Sequence, residues 1–526
     1  MARTTAGQVK QFGRVPTIRV SRSTFDRSHR HLTTFDADNL VPILVDDIIP
    51  GDSFNVNCNV FARLATPLFP IMDNMYLETF FFFVPYRLVW DNWEKFCGAQ
   101  DDPGDSISFT IPVLAGSTSP SVGSVDHYMG LPQDLTHNAG AYSALPLRAY
   151  NLIWNEWFRD QNLQNSLTVN TGNGPDTVSG TYSMQKRGKR HDYFTSCLPW
   201  PQKQTTAVGF GLSGSAPIYT LATDGQSVGI NDAIESGGVF HAMDTDGTAG
   251  GHVVIDDPSV ADAGLYANLA EASQVSINDF RLAIQTQALL EIDARSGTRY
   301  PETVLAHFGV TVPDFRVQRP EFLGGGRSMV NITPVAQTTY QGTPTDEDAK
   351  GALAAFGTVS GSHGFTKSFV EHGVLIGLAN VRADITYSQG VERYWNKDTR
   401  YDFYYPALAS ISEQSVLIKE LYAAAADLTV VFGYQERYAE YRYKPSRLTG
   451  LMAVDAASSL SAWHLSEDFA SEPSLDSTFI ESNSGTPLDR AIAVSSEPQF
   501  IADFHFDMKC ARPMPLFGIP AQLSRF

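Results

Sequence analysis

With 526 residues, of which 43% are hydrophobic, the chain can bury a sizeable core as one large β architecture or as several ordinary domains. Its most strongly apolar run, Phe80–Val84, is far below the roughly 18 residues that would span a bilayer. Charged residues make up only 18% and aromatics 11%, a surface better suited to extensive subunit contacts than to water alone. The net charge of −19 hides an asymmetry: residues 1–31 hold seven basic residues against one acid, a local +6, so the other 495 residues carry −25. That division fits a basic arm meeting a polyanion that the rest of the chain repels; a plain solubilising tail is the bland alternative.

Met1–Val20 is basic and lacks the apolar core of an export signal, and Cys58, Cys97, Cys197 and Cys510 are scattered without a CxxC pair. Both features predict a soluble intracellular protein with reduced thiols and neither a disulfide framework nor a zinc site.

In chain order, the polar basic stretch Ser21–His31 belongs to an arm over residues 1–38. Leu40–Ile49 is a short apolar segment ending at the turn signal Pro50-Gly51, and Phe54–Val60 alternates apolar residues with asparagine, which predicts a half-buried strand and a hairpin-like start. Tyr76–Val84 becomes apolar on both faces, as in a strand covered on both sides. After Pro85, the residues Leu88, Val89, Trp93 and Phe96 are spaced for a short helix stopped by Gly98. Further helices are predicted over Pro146–Phe158 and from Ser276 to Gly297.

Between them, Thr205–Pro258 contains ten glycines and seven acids but no lysine or arginine, which predicts a long exposed excursion. Val374–Tyr387 and Phe500–Cys510 return to strand patterns, the second alternating and closed by Pro513 and Pro515. Strands at both ends with helices and loops between them describe an antiparallel β architecture with insertions, in which first and last strands can be neighbours.

Motifs that could carry chemistry are few and incomplete. Gly209–Gly214 matches G-x-G-x-x-G but lacks the strand-to-helix context a dinucleotide site needs. Gly324-Gly325-Gly326-Arg327 lacks the ending of a phosphate loop and reads as a flexible joint. His29-x-His31 has no further ligand at metal spacing, and Asp244-x-Asp246-Gly247 lacks the later ligands of a calcium loop. Paired acids such as Asp46-Asp47 and Asp101-Asp102 mark turns, and nothing assembles a nucleophile, base and oxyanion donor. The tyrosine-rich Phe432–Lys444 offers either a base-stacking platform or a packing segment with paired Glu and Arg; its near balance of acids and bases favours packing.

Ser21–His29, Asn39–Pro42, Tyr434–Arg442 and Lys509–Pro515 together resemble the major capsid protein of the gokushovirus-type microviruses, small tailless phages with circular single-stranded DNA. The resemblance runs from near one terminus to near the other; Thr205–Pro258 departs from it most freely. It implies a mainly β fold, an eight-stranded antiparallel jelly-roll barrel with long, partly helical inter-strand insertions over residues 39–526, and no cofactor or catalytic residue. It also implies assembly into an icosahedral shell around single-stranded DNA, with an internal scaffolding protein, a DNA pilot protein, a small basic packaging peptide and a host-cell surface receptor as partners. Residues 205–258 are then the counterpart of the family's threefold protrusion, with Phe210, Tyr219, Phe240 and His241 as attachment candidates. For the genome, Arg14, Arg19, Arg22, Arg27 and Arg30 are the expected phosphate contacts, with Phe12 and Phe25 stacking on bases. A secreted β-rich carbohydrate-active enzyme or lectin is the alternative, and the missing export signal and acid/base motif count against it. An intracellular single-strand-binding protein is another, opposed by the −25 outside the arm.

Overall fold

The computed structural model describes residues 21–115, 120–133, 142–178, 180–203, 218–220, 229–231, 240–242, 265–267, 277–336, 338, 353–409, 411 and 413–518. The chain divides into two compact units, Met1–Pro201 with Arg295–Phe526, and Gln202–Ala294. Two antiparallel sheets carry the first unit. Their strands are Ser23–Asp26 (β1), His29–Phe35 (β2), Val41–Ile48 (β3), Ser53–Leu64 (β4), Met75–Pro85 (β5), Glu321–Met329 (β6), Asn331–Ala336 (β7), Leu353–Ser368 (β8), Gly373–Ala383 (β9) and Phe500–Arg512 (β10). One sheet has the order β1-β10-β4-β8-β7, with β2 also paired to β10; the other has the order β6-β5-β9-β3.

The period-two patterns explain the first sheet. Phe54, Val56, Cys58, Val60, Ala62 and Leu64 of β4 are buried, while Asn55, Asn57, Asn59 and Phe61 are exposed. On β10, Phe500, Ala502, Phe504, Phe506, Met508 and Cys510 are buried in the same way. These side chains meet Leu77, Phe81, Phe83, Leu375 and Val381 of the second sheet in one continuous core.

The second sheet is covered on its other side as well, so β9 is buried along its whole length. The helix Leu145–Ile153 (α1), with Pro146 in its first turn, packs there against Phe82, Val84, Val374, Ile376 and Leu378. It runs into a single π turn over Trp154–Phe158. Under this layer Arg148, fully buried, donates to both Asp176 carboxylate oxygens at 2.6 and 2.8 Å and to the carbonyls of Val89 and Gly172. Asp176 also accepts from Tyr182 and Asn170. Burial works against its ionisation, but the bonds from Arg148 and Tyr182 win and hold its pKa below the usual carboxylate range.

Three expectations change. The apolar segment before Pro50-Gly51 and the asparagine strand do not form a hairpin: β3 pairs with β9, and β4 with β8 and β10, so the Gly51 turn (φ +91°) passes the chain from one sheet to the other. Gly324–Gly326 is not a flexible joint but part of β6, paired to β5 through a bulge between Phe322 and Gly324. A Cβ at Gly325 would lie 2.1 Å from the Thr79 carbonyl oxygen, and one at Gly326 2.2 Å from His363 Cδ2, so these glycines allow close backbone approach. The helix expected after Pro85 is split into a 3₁₀ turn, Tyr86–Leu88, and one α turn, Trp93–Phe96, before Gly98.

In the second unit the described parts of the acidic glycine-rich region, with one strand beyond it, form two short antiparallel ladders. Ile218–Thr220 pairs with Leu265–Ala267, and Gly229–Asn231 with Phe240–Ala242. The helix predicted from Ser276 spans Ile277–Ser296 and ends at Gly297, whose φ of +92° suits a helix stop.

His363 of β8 ties the two sheets together, with Nδ1 2.8 Å from Thr79 Oγ1 on β5 and Nε2 3.0 Å from Ser328 Oγ on β6. Burial pushes its pKa down, so the ring is neutral in the fold but protonates more readily in the unfolded chain. Its contribution is therefore complete above the ordinary histidine value and is lost as pH falls below about 6.5. The melting temperature of a His363→Gln subunit should drop less than that of the native chain between about pH 7 and pH 5; parallel pH profiles would refute this. For the buried ion pair, Asp176→Asn leaves a guanidinium uncompensated and should cost about 3–5 kcal/mol in urea unfolding. The double change Arg148→Met with Asp176→Leu should recover much of that loss.

Candidate nucleic-acid interface

Strands β1 and β2 lie end to end along β10, pairing Ser23–Asp26 with Arg512–Lys509 and His29–Phe35 with Phe506–Phe500. Between them the Arg27 amide donates to the Met508 carbonyl at 2.8 Å, and the Met508 amide donates to Ser28 Oγ at 3.2 Å. Residues 23–35 of the predicted arm are thus the edge of the six-stranded sheet. Alternation sorts their side chains: Phe25 packs on the core, His29 stacks on Phe506 with centroids 5.1 Å apart, and His31 meets Phe504 at 6.5 Å. The imidazoles of His29-x-His31 are thereby engaged with rings, and no cluster of three metal-ligating side chains occurs among the described residues. Burial, with His29 as a further positive neighbour, lowers the pKa of His31.

The arginines of this edge each find a partner within the chain. Arg22 donates to Ser53 Oγ at 2.7 Å and to the Ala511 carbonyl at 3.3 Å. Arg27 forks onto Asp46, with Nη2 2.9 Å from Oδ1 and Nη1 on Oδ2. Arg30 Nε donates to Asp503 Oδ1 at 2.7 Å. Hydrogen bonds to Asp46 and Asp503 raise the pKa values of Arg27 and Arg30 respectively, and bonds from Ser28 lower that of Asp26. Arg22, Arg27, Arg30 and Phe25 thus share one sheet edge, whereas Phe12, Arg14 and Arg19 lie outside the described residues.

Next to this edge, the outward row Asn55, Asn57 and Asn59 of β4 and His505, Asp507 and Lys509 of β10 is exposed. The asparagine alternation marked those β4 positions as solvent-facing, but only the register between β4 and β10 shows that the two rows adjoin. Of the attachment candidates, Tyr219 is opposite Tyr266, Phe240 opposite Asn231 and His241 opposite Ile230 in the short ladders. Phe210, the Gly209–Gly214 motif and Asp244-x-Asp246 lie outside the described residues.

The tyrosine-rich segment is divided. Val431–Glu436 pairs with Glu413–Leu417, Tyr438 is buried and Arg442 contacts Glu436, while Tyr441 and Tyr443 stay exposed on one wall of a cavity.

A family model described as capsid protein (F protein) matches residues 13–522. The capsid protein VP1 of Bdellovibrio phage phiMH2K is 44% identical, over 98% of each chain. That of Chlamydia phage 1 is 42% identical over 97% of each, and that of Spiroplasma virus 4 is 34% identical over 95% of each. The chain therefore belongs to the F-protein capsid family of phages, and within it is a major capsid structural protein of the gokushovirus-type microviruses and a component of the virion.

Proposed function

We propose that this capsid protein is an eight-stranded jelly roll with helical insertions that builds a small icosahedral shell, one chain per asymmetric unit, around single-stranded DNA. The observation that carries the reading is strand order. Leaving aside the short β1 and the added β7, the sheets run β2-β10-β4-β8 and β3-β9-β5-β6, so the chain crosses between two four-stranded sheets as a double Greek key does. Rigid walls of this kind suit a repeating shell subunit.

In this reading the N-terminal arm lines the interior, with Arg14, Arg19, Arg22, Arg27 and Arg30 toward phosphates and Phe12 toward bases; Phe25, expected to stack as well, packs on the core instead and leaves that role to Phe12. The intrachain acids on Arg27 and Arg30 refine the expectation, since a guanidinium already paired releases fewer counterions when it meets a phosphate. The salt dependence then comes mainly from the cations of residues 1–20, namely Arg3, Lys10, Arg14 and Arg19. An internal scaffolding protein, a DNA pilot protein and a small basic packaging peptide complete assembly, and residues 205–258 form an outer protrusion that meets a host-cell surface receptor through Phe210, Tyr219, Phe240 and His241.

Removing residues 1–20 should make the log K versus log salt slope for single-stranded oligonucleotide binding shallower by about 3, from four lost phosphate contacts at roughly 0.7 each. Arg27→Ala with Arg30→Ala should change it much less. An unchanged slope on truncation, together with unchanged DNA content in particles, sinks the arm's role. Replacing residues 205–258 by a short Gly-Ser linker should leave shells that form but adsorb poorly to host cells; normal adsorption would remove this region from the attachment reading.

A further inference from the structure

A cavity of about 560 Å³ opens between the 3₁₀ turn Arg393–Asn396 and the segment 441–449. Its size falls within the range of roughly 300–1,000 Å³ typical of small-molecule sites. Its walls are aromatic and strongly exposed for such residues: Trp395 is 71% accessible, Tyr441 54%, Tyr394 46% and Tyr443 41%. Tyr443 is braced by parallel stacking on Tyr193 at 5.9 Å, so its ring is held in place. Cations stand beside the rings. Lys397 Nζ lies 4.1 Å from the Tyr441 ring centre and donates to its hydroxyl at 2.6 Å, and Lys444 Nζ lies 5.2 Å from the Tyr394 ring centre.

The charges do not cancel. Arg393 is committed to Glu420 at 2.8 Å, and Lys397 is 3.9 Å from Glu440. Lys444 and Arg447 both contact the single carboxylate of Glu392, whose pKa they depress. Four cations thus face three acids, and the unmatched positive charge sits at the Glu392 side of the cavity, in a chain whose net charge is −19. Exposed ring faces next to an unmatched cation are what a stacked base with its phosphate requires. A neutral sugar would use the rings but not the cation, and a metal ion would be repelled by it.

We infer that this cavity binds a nucleotide unit of single-stranded DNA, its base against Trp395 and the neighbouring tyrosine rings and its phosphate at Lys444 and Arg447. The inference rests on the reading that the shell encloses single-stranded DNA, and adds a second contact separate from the arm. The tyrosine-rich segment then serves both purposes considered for it: Phe432 and Tyr438 pack inward, and Tyr441 and Tyr443 present faces to a base.

The test uses the full-length unassembled subunit and a fluorescein-labelled oligo-dT of about 12 nucleotides. Trp395→Ala should weaken binding by at least about fivefold, the lower end of one base–aromatic stack. Trp395→Phe should restore affinity while removing the oligonucleotide-dependent quenching of tryptophan fluorescence. Lys444→Gln with Arg447→Gln should weaken binding and make the salt slope shallower by about 0.7, the share of one unmatched charge. Native affinity and slope in both Trp395→Ala and the double glutamine variant would overturn the inference. It also falls if these variants bind DNA normally but fail to self-associate in sedimentation, because the cavity then receives a second copy of the chain. The two DNA readings separate cleanly: an arm truncation that leaves binding intact while the cavity variants lose it rejects the arm alone, and the reverse pattern rejects the cavity alone.

Discussion

The six-stranded sheet depends on its last strand. β10 lies between the first strands of the chain and β4, pairing Phe500–Phe506 with residues 35–29 on one side and Phe500–Ala511 with residues 64–53 on the other. Its inward residues, among them the fully buried Phe500, Phe504 and Phe506, fill the middle of the core. Until residues 500–512 are in place, β1 and β2 have no ladder to join and one side of β4 is open. Contacts spanning more than 460 residues carry a large loop-closure cost, which makes sheet formation late and strongly cooperative. The same placement anchors the N-terminal arm, because the strands that lead out of it are stitched to the C-terminal strand.

The second constraint is how closely the sheets approach at their β5, β6 and β8 side. Gly324 and Gly326 on β6 and Gly361 on β8 leave room that any side chain would fill; a Cβ at Gly324 would sit 3.0 Å from the Gly364 carbonyl oxygen, one at Gly326 2.2 Å from His363 Cδ2, and one at Gly361 2.0 Å from Ser328 Oγ. Into the space comes His363 with its two hydroxyl partners. The sequence pattern of glycines suggested flexibility because glycine is permissive in isolation, whereas here its lack of a Cβ lets two backbones and an imidazole meet. Local pattern was enough for β4, β10 and the helix ending at Gly297, where each residue's role follows from period and stop signals. It failed where a role depends on the opposite sheet: β3 and β4 look like hairpin partners, and only their separate ladders show that they are not.

The candidate interface depends on distant partners in the same way. Residues 23–35 read as part of a polar basic arm, and their place on the sheet edge and the half-burial of Phe25 come only from pairing with β10, a strand more than 460 residues away. The partners of the arginines also lie elsewhere in the chain, since Asp46 is 19 residues from Arg27 and Asp503 is 473 from Arg30. Counting cations in the first 31 residues treats all of them alike, yet once the chain folds some carry a carboxylate of their own. The cavity was hidden for the converse reason: in sequence, the acids and bases of Phe432–Lys444 nearly balance, and the imbalance arises only when Lys444 and Arg447 are brought to Glu392, some 50 residues earlier.

A polyanion near a strongly acidic subunit is repelled on average, so what decides where it rests is the local surplus of positive charge, not the number of basic residues. Arg27 and Arg30 bring little surplus because their pairing with Asp46 and Asp503 is already made, and a phosphate would have to displace a carboxylate to gain from them. Lys444 and Arg447 share one carboxylate, so an arriving phosphate completes a pair without breaking one. Ring faces beside them supply the non-ionic part of the attraction, which salt does not screen. The basic edge strand is chiefly a structural seam, and a phosphate chain would gain most from cations with no acid of their own and from aromatic walls set next to them.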